Sequence, residues 1–218
     1  MLRDEEIEAI VSRIMQEVGQ KPAPPAPAPP KDGGGYGERG ATSTGSFGVY
    51  PTLDEAVAAA QSAFRRLQAL PLAIREEMVA HMRQAAREHA LPLAEMAQQE
   101  TGMGRVEDKV LKNVLNANKA PGTEALQTGA WSGDGGLTVV EYAPYGLIGA
   151  LTPSTNPTST IICNAIGMVA AGNAVVFNAH PSAKGASNRT VQILNEAILQ
   201  AGGPADLLTC VAEPTLES

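Results

Sequence analysis

The first eighteen residues carry apolar side chains at a helical spacing. The apolar positions are Ile7, Ile10, Val11, Ile14 and Val18. Side chains three, four, seven and eleven residues apart fall on one face of a helix, and the charged residues between them lie outside that stripe. The pattern predicts a short amphipathic helix over residues 1–18.

Residues 19–46 are rich in proline, glycine and small side chains. Such a composition cannot bury a core and predicts an extended, disordered tether. Because a helix on a tether does not reliably fold back on its own domain, we interpret the apolar stripe of residues 1–18 as a docking face for a partner. The alternative is a helix that packs on its own protein.

The next part of the chain has the pattern of packed helices. Thr52 and Glu55 form a capping-box signature before the first helix, a second helix follows Pro71, and a third opens at Pro92 and ends at Gly102. The predicted core positions of the first two helices are Val57, Ala60, Phe64 and Leu67, then Ile74, Met78, Met82 and Ala85. A helical layer is therefore expected over residues 52–118.

From Leu137 onward the pattern changes to short, apolar, β-rich runs. LTVVEYA and GLIGALT predict two strands, and a helix closing at Gly172-Asn173 leads to the strand AVVFNA. A second helix at 184–201 and a strand at 206–212 repeat the alternation. Strands that alternate with helices predict a parallel sheet with right-handed crossovers.

Ligands of such sheets bind beyond the carboxyl ends of the strands. Here those ends carry Thr152 to Pro157, Asn178 to Lys184, and Glu213-Pro214. A parallel sheet of only three strands would expose a long unpaired edge, so we expect the chain to be truncated.

Charge and hydropathy exclude two classes of partner. Sixteen basic against 23 acidic residues give a net charge of −7 without a basic stripe, which excludes binding to nucleic acid. The longest apolar stretch, residues 158–177, is interrupted by asparagine and glycine, so no membrane span is expected. The N-terminus also lacks the pattern of a secretory signal, which predicts a cytoplasmic protein.

The cysteines and histidines offer little chemistry by themselves. Cys163 and Cys210 both lie in apolar runs and are interpreted as core residues, not nucleophiles. His81 and His89 have no second ligand at metal spacing, so no metal site is expected.

Four segments carry a resemblance to a known family. They are residues 100–113 (ETGMGRVEDKVLKN), 132–137 (SGDGGL), 141–160 (EYAPYGLIGALTPSTNPTST) and 170–184 (AAGNAVVFNAHPSAK). In this order they resemble the CoA-acylating aldehyde dehydrogenases of ethanolamine and propanediol utilisation, over residues 47–218. The implied fold is α/β and aldehyde-dehydrogenase-like, an incomplete Rossmann-type parallel sheet preceded by a helical layer.

The resemblance implies NAD-dependent oxidation of acetaldehyde or propionaldehyde to the acyl-CoA. In that family a cysteine thiolate adds to the aldehyde, hydride passes to the nicotinamide, and coenzyme A cleaves the thioester. In members of that family the nucleophilic cysteine lies in the second half of the polypeptide, and it has no counterpart in this chain.

The amphipathic helix and its tether resemble the encapsulation peptide that directs such enzymes into a bacterial microcompartment. The implied partner of residues 1–18 is a shell protein, the implied location is the microcompartment lumen, and the implied full-length protein is a homo-oligomer. A different interpretation is a non-catalytic cargo or assembly module, in which the helix docks to the shell and the domain does no chemistry.

The resemblance leaves two candidates for the group that stabilises the oxyanion. In the wider superfamily an asparagine stands two residues after a proline at the end of the first nucleotide-site strand, and its amide donates to the oxyanion. Counting from Pro153 gives Thr155, whereas Asn156 lies one residue later. Either residue is a candidate donor.

The expected cofactor contacts follow from the same alignment. The superfamily places a lysine at the end of the next strand to bind the adenosine ribose, whereas this chain has Asn178, with Lys184 six residues on. The cofactor-binding candidates are Thr152, Pro153, Ser154, Asn178, His180, Pro181 and Lys184. For His180 the alternative is a cap on the following helix. No GxGxxG motif follows a predicted strand, so this placement rests on topology and resemblance.

Overall fold

The computed structural model describes residues 47–215 of the chain. The docking helix predicted at 1–18 and the tether predicted at 19–46 lie outside the described residues. Within that range the chain forms a group of helices, then a β-hairpin, then alternating strands and helices.

The helical part follows a two-residue strand, β1 (Val49–Tyr50). Its helices are α1 (Leu53–Gln68), α2 (Leu72–Glu88), α3 (Ala90–Thr101) and α4 (Val106–Lys119). The Thr52 hydroxyl accepts a hydrogen bond from the Glu55 amide at 3.3 Å, as expected of an N-cap, and Gly102 ends α3 at φ +67°. The prediction that Pro92 opens α3 is wrong by two residues, because the helix begins at Ala90. Proline fits inside the first turn, where its missing N–H has no partner within the helix.

The buried face of α1 differs from the predicted stripe. Ala60 and Leu67 are buried as expected, but Val57 and Phe64 are only half-buried. Small alanines at Ala56, Ala60 and Ala63 face the sheet instead. They let α1 approach closely enough for the Thr209 hydroxyl to donate to the Ala56 carbonyl at 3.1 Å. In α2 the predicted Met78 and Met82 are fully buried.

An antiparallel hairpin follows, made of β2 (Gly129–Gly133) and β3 (Gly136–Val140). The strand predicted from Leu137 is confirmed as β3, but it ends at Val140 and pairs with a strand that the sequence did not predict. The hairpin exposes Trp131 and Leu137 to solvent.

The main sheet contains four parallel strands in the order β1, β6, β5, β4. They are β1 (Val49–Tyr50), β4 (Leu147–Thr152), β5 (Ala174–Ala179) and β6 (Leu208–Val211), with crossover helices α5 (Pro157–Ala170) and α6 (Lys184–Gln200). The predicted α/β fold with a parallel sheet is confirmed. The count of three strands is wrong, because β1 pairs with β6 through Val49 and Cys210 and covers that edge. At the other edge Leu151 of β4 is 79% exposed.

The core lies between the sheet and its helices. Its largest fully buried side chains include Phe177 of β5, Ile161, Ile162 and Ile166 of α5, and Leu194 and Ile198 of α6. Burial of both faces of β5 explains its continuous apolar run. None of the helices within residues 47–215 is long and apolar enough to cross a membrane.

Candidate functional site

The carboxyl ends of β4 and β5 lie side by side. Thr152 and Ala179 are Cα partners, and the His180 amide donates to the Thr152 carbonyl at 3.1 Å. The ammonium of Lys184 forms an ion pair with Glu213, which follows β6. The three segments that the sequence places beyond strand ends therefore meet at the carboxyl end of the sheet.

The turn of residues 153–156 connects β4 to α5. Asn156 precedes the helix, Pro157 is its first residue, and the Asn156 side chain makes no capping hydrogen bond to the helix. The Thr155 side chain is exposed and that of Asn156 is half-buried. Both oxyanion candidates are thus present on one turn at the amino end of a helix, where the helix dipole favours negative charge.

Two lysines of α4 reach this turn. The Lys109 ammonium donates to the Thr155 carbonyl at 3.0 Å, and the Lys112 ammonium donates to Asn156 Oδ1 at 3.0 Å. Lys109 is only 6% exposed. Burial lowers the pKa of Lys109, and the nearby charge of Lys112 lowers it further. The turn therefore lies beside two basic groups that the strand-end argument did not identify.

Two asparagine side chains hold α4 against the start of α5. The Thr158 hydroxyl donates to Asn113 Oδ1 at 2.9 Å, and Asn113 Nδ2 donates to the Ala90 carbonyl at 3.1 Å. Asn116 Nδ2 donates to the Ser159 carbonyl at 3.0 Å. Asn113 is fully buried and is bonded through both its amide oxygen and its amide nitrogen, so the lysine side chains project from a firmly held helix.

The Thr152 hydroxyl is a buried group that lacks a partner. Its oxygen is inaccessible to solvent and has no hydrogen-bond partner within residues 47–215. An unsatisfied buried hydroxyl is costly and is tolerated mainly where a ligand or water completes it. Thr152 ends β4, and its contact with a cofactor stays a prediction.

The loop after β5 places His180 in a capping role. His180 Nδ1 accepts a hydrogen bond from the Ser182 amide at 3.2 Å and lies 2.8 Å from the Ser182 hydroxyl. The His180 side chain thereby caps the short 3-10 helix Pro181–Ala183. This is the alternative that the sequence left open for His180. Its contact with a cofactor, like that of Asn178, Pro181 and Lys184, stays a prediction.

The amino end of α6 is occupied by a carboxylate from α3. Glu100 Oε1 and Oε2 accept from the amides of Gly185 and Ala186, both at 2.8 Å. A carboxylate at this position satisfies two amides and complements the helix dipole. The carboxylate of Glu100 therefore lies at the amino end of α6, whereas the ammonium groups of Lys109 and Lys112 lie near the amino end of α5.

We expect Glu100→Ala to lower the free energy of unfolding by about 1 kcal/mol, because two helix amides lose their acceptors. Urea unfolding followed by circular dichroism measures the change. Glu95→Ala is the matched control, since Glu95 is an exposed carboxylate of the same helix. Equal stability of the two variants would show that the carboxylate does not stabilise α6.

Neither cysteine is placed for nucleophilic catalysis. Cys210 is fully buried in β6 and its thiol donates to Asn188 Oδ1 at 3.2 Å. Burial raises the pKa of the Cys210 thiol to about 12, which suppresses the reactive thiolate. Cys163 lies half-buried within α5. In the described part of the chain no three His, Cys, Asp or Glu side chains are grouped to hold a metal ion.

Sequence reasoning missed the residues that approach the site from the helices. Glu100, Lys109 and Lys112 all belong to the segment 100–113, which had carried only the family resemblance. Lys109 and Lys112 are three residues apart, a spacing that places them on one face of a helix. This spacing was the one available signal.

The strand order and the crossover helices define a parallel α/β protein with a layer of helices packed on the sheet. The family model "Aldehyde dehydrogenase family" matches residues 48–217. The chain therefore belongs to the aldehyde dehydrogenase family.

Similar proteins include an acetylating acetaldehyde dehydrogenase of Bilophila wadsworthia, 50% identical over 79% of this chain and 35% of that protein. A propionaldehyde dehydrogenase from the fucose utilisation microcompartment of Clostridium phytofermentans is 51% identical over 78% of this chain and 39% of that chain, with a TM-score of 0.76. The Rhodopseudomonas palustris propionaldehyde dehydrogenase with bound propionyl-CoA is 45% identical over 79% of this chain and 38% of that chain, with a TM-score of 0.76.

These relatives confirm the predicted resemblance to acylating aldehyde dehydrogenases of microcompartments. The chain spans less than two fifths of the length of each of the three.

Proposed function

We propose that the chain is the amino-terminal part of an NAD-dependent, CoA-acylating aldehyde dehydrogenase. Its substrates are acetaldehyde or propionaldehyde, and its product is the acyl-CoA. The observation that carries the proposal is the turn 153–156, where both oxyanion candidates lie beside Lys109 and Lys112. The nucleophilic cysteine is supplied by residues outside this chain.

The strand ends form the cofactor site in this proposal. Bound NAD supplies a hydride acceptor for the aldehyde carbon. Thr152, Pro153 and Ser154 line the site from the carboxyl end of β4 and the turn that follows it. Asn178, His180, Pro181 and Lys184 line it from β5 and the loop that follows. Coenzyme A binds at the same cleft as the second substrate.

The chemistry assigned to the chain itself is stabilisation of negative charge. Addition of a thiolate to an aldehyde places negative charge on the carbonyl oxygen, and a preorganised donor lowers the barrier. Thr155 and Asn156 are the candidate donors. The nearby ammonium groups of Lys109 and Lys112 and the amino end of α5 favour negative charge at the same place.

The test is CoA-dependent reduction of NAD by the full-length enzyme, measured with Thr155→Val and Asn156→Ala made separately. Loss of the donor is expected to lower kcat by about 10²–10³ while leaving NAD affinity nearly unchanged, because the interaction forms mainly in the transition state. Thr138→Val on the exposed face of β3 is the control. The oxyanion role fails if both variants keep wild-type turnover or lose only NAD affinity.

We further infer that residues 1–18 dock to a microcompartment shell protein and place the enzyme in the lumen. The apolar stripe of that segment supports this inference. We also infer a homo-oligomer in the full-length protein, supported by the exposed apolar side chains Trp131, Leu137 and Val139 on the hairpin.

A second candidate function is a non-catalytic cargo or assembly module. It is favoured by the burial of Cys210 and by the position of Cys163 within a helix, which leave the described chain without a suitable nucleophile. The two functions differ in whether the full-length protein catalyses CoA-dependent reduction of NAD, and an assay of the full-length protein separates them.

A further inference from the structure

The contact between Lys112 and Asn156 determines the orientation of the asparagine amide. A lysine ammonium only donates hydrogen bonds, so the atom 3.0 Å from Lys112 Nζ is the amide oxygen. The amino group of Asn156 therefore lies at the opposite end of the carboxamide. An asparagine amide at a turn is otherwise free to flip, and here one charged partner removes that freedom.

The amino group of Asn156 donates to the hydroxyl oxygen of Thr155 at 3.3 Å. A hydroxyl that accepts one hydrogen bond keeps its own proton to donate. No acceptor for the Thr155 proton lies within hydrogen-bond distance in the described range, and the side chain is exposed. The Thr155 hydroxyl is thus left with its proton available for a bound molecule.

The backbone at Thr155 is held independently. Its carbonyl accepts from the buried Lys109 ammonium, and Lys109 projects from the same helix as Lys112. Because Asn113 fixes that helix to α5, both lysines meet the turn from a rigid base. Lys109 therefore holds the main chain of the turn, and Lys112 holds the side chain of Asn156.

We propose that Lys112, Asn156 and Thr155 form a hydrogen-bond relay in which Thr155 is the catalytic donor to the substrate oxyanion and Lys112 is a positioning residue. The proposal rests on the acylating dehydrogenase function and assigns different roles to its two candidate donors. The charge of Lys112 polarises the Asn156 amide, which strengthens its donation to Thr155 and makes the hydroxyl a better donor. Negative charge on the substrate oxygen strengthens the whole relay.

The first test compares three lysine variants in the full-length enzyme. Lys112→Met is expected to lower kcat about tenfold with the KM for NAD unchanged, because the relay loses its charged end. Lys112→Arg keeps a cationic donor and should retain most of the turnover. Lys119→Met removes an exposed lysine from the last turn of the same helix and should change neither parameter.

The second test is a double-mutant cycle with Thr155. In a relay, Lys112→Met has no further effect once Thr155→Val has removed the terminal donor, whereas Thr155→Ser keeps the hydroxyl and stays sensitive to Lys112→Met. Thermal unfolding of each variant shows whether the fold is retained.

Three outcomes would overturn the relay. They are wild-type kcat in Lys112→Met, a loss in Lys112→Arg equal to that in Lys112→Met, and independent, multiplying effects in the double variant. Each of these leaves the proposed function standing, because the unsubstituted enzyme is active. Absence of CoA-dependent NAD reduction in the unsubstituted enzyme overturns the proposed function and the relay together.

Discussion

The 218-residue chain, purified by itself, is expected to show no CoA-dependent reduction of NAD with acetaldehyde or propionaldehyde. Acyl transfer needs a thiolate at an accessible position, and neither cysteine provides one. Cys210 is buried in β6 with its pKa raised to about 12, so almost none of it is ionised near neutral pH. Cys163 lies along α5 and not at a strand end. Formation of NADH, followed by its absorbance, measures the outcome.

The assay has its control in the full-length enzyme, which should turn over under identical conditions. Cys163→Ser and Cys210→Ser in the isolated chain complete the design. Robust turnover by the chain that disappears in Cys163→Ser would overturn the assignment of the nucleophile to residues outside the chain. Turnover retained in both variants would point to a contaminating enzyme.

Residues 1–18 are expected to bring a fused fluorescent protein into a microcompartment shell, and Ile10→Glu with Ile14→Glu should abolish this targeting. Burial of such a side chain at an interface contributes about 1.5–3 kcal/mol, so two charges in the stripe remove most of the binding free energy. Co-purification of fluorescence with assembled shells measures the effect.

A matched control adds the same charge to the opposite face. Ala9 and Gln16 lie away from the apolar stripe at the helical spacing, so Ala9→Glu with Gln16→Glu should leave targeting intact. Equal targeting by both double variants would exclude the stripe as the docking face. Equal loss in both would show that net charge, and not the stripe, controls targeting.

The parts of the fold that repeat a strong pattern could be predicted from the sequence. The strands β4 and β5 and the helices α5 and α6 have continuous apolar runs or clear helical periods, and turn residues separate them. Strand β1 has only Val49 and Tyr50, too few residues for any period, and it exists because β6 offers an open edge. Strand β2 begins and ends in glycine and contains no β-branched residue, so it lacks the sequence pattern of a strand.

The candidate site could be predicted only in part. Topology places Thr152 to Pro157 and Asn178 to Lys184 at one edge of a parallel sheet, because the carboxyl ends of parallel strands lie together. The contact from Lys109 joins residues 46 positions apart, and that from Lys112 joins residues 44 apart. Contacts of this kind depend on how α4 packs against α5, which no local pattern in a single sequence specifies.

The pairing of β1 with β6 has a consequence for synthesis of the protein on the ribosome. Val49 pairs with Cys210, and the carbonyl of Phe47 accepts from Asn195, 148 positions along the chain. Such distant contacts form late, since the closing segment must first be synthesised. Until β6 leaves the exit tunnel, it cannot pack against the face of α1 that carries Ala56, Ala60 and Ala63. That face then stays accessible to chaperones and proteases.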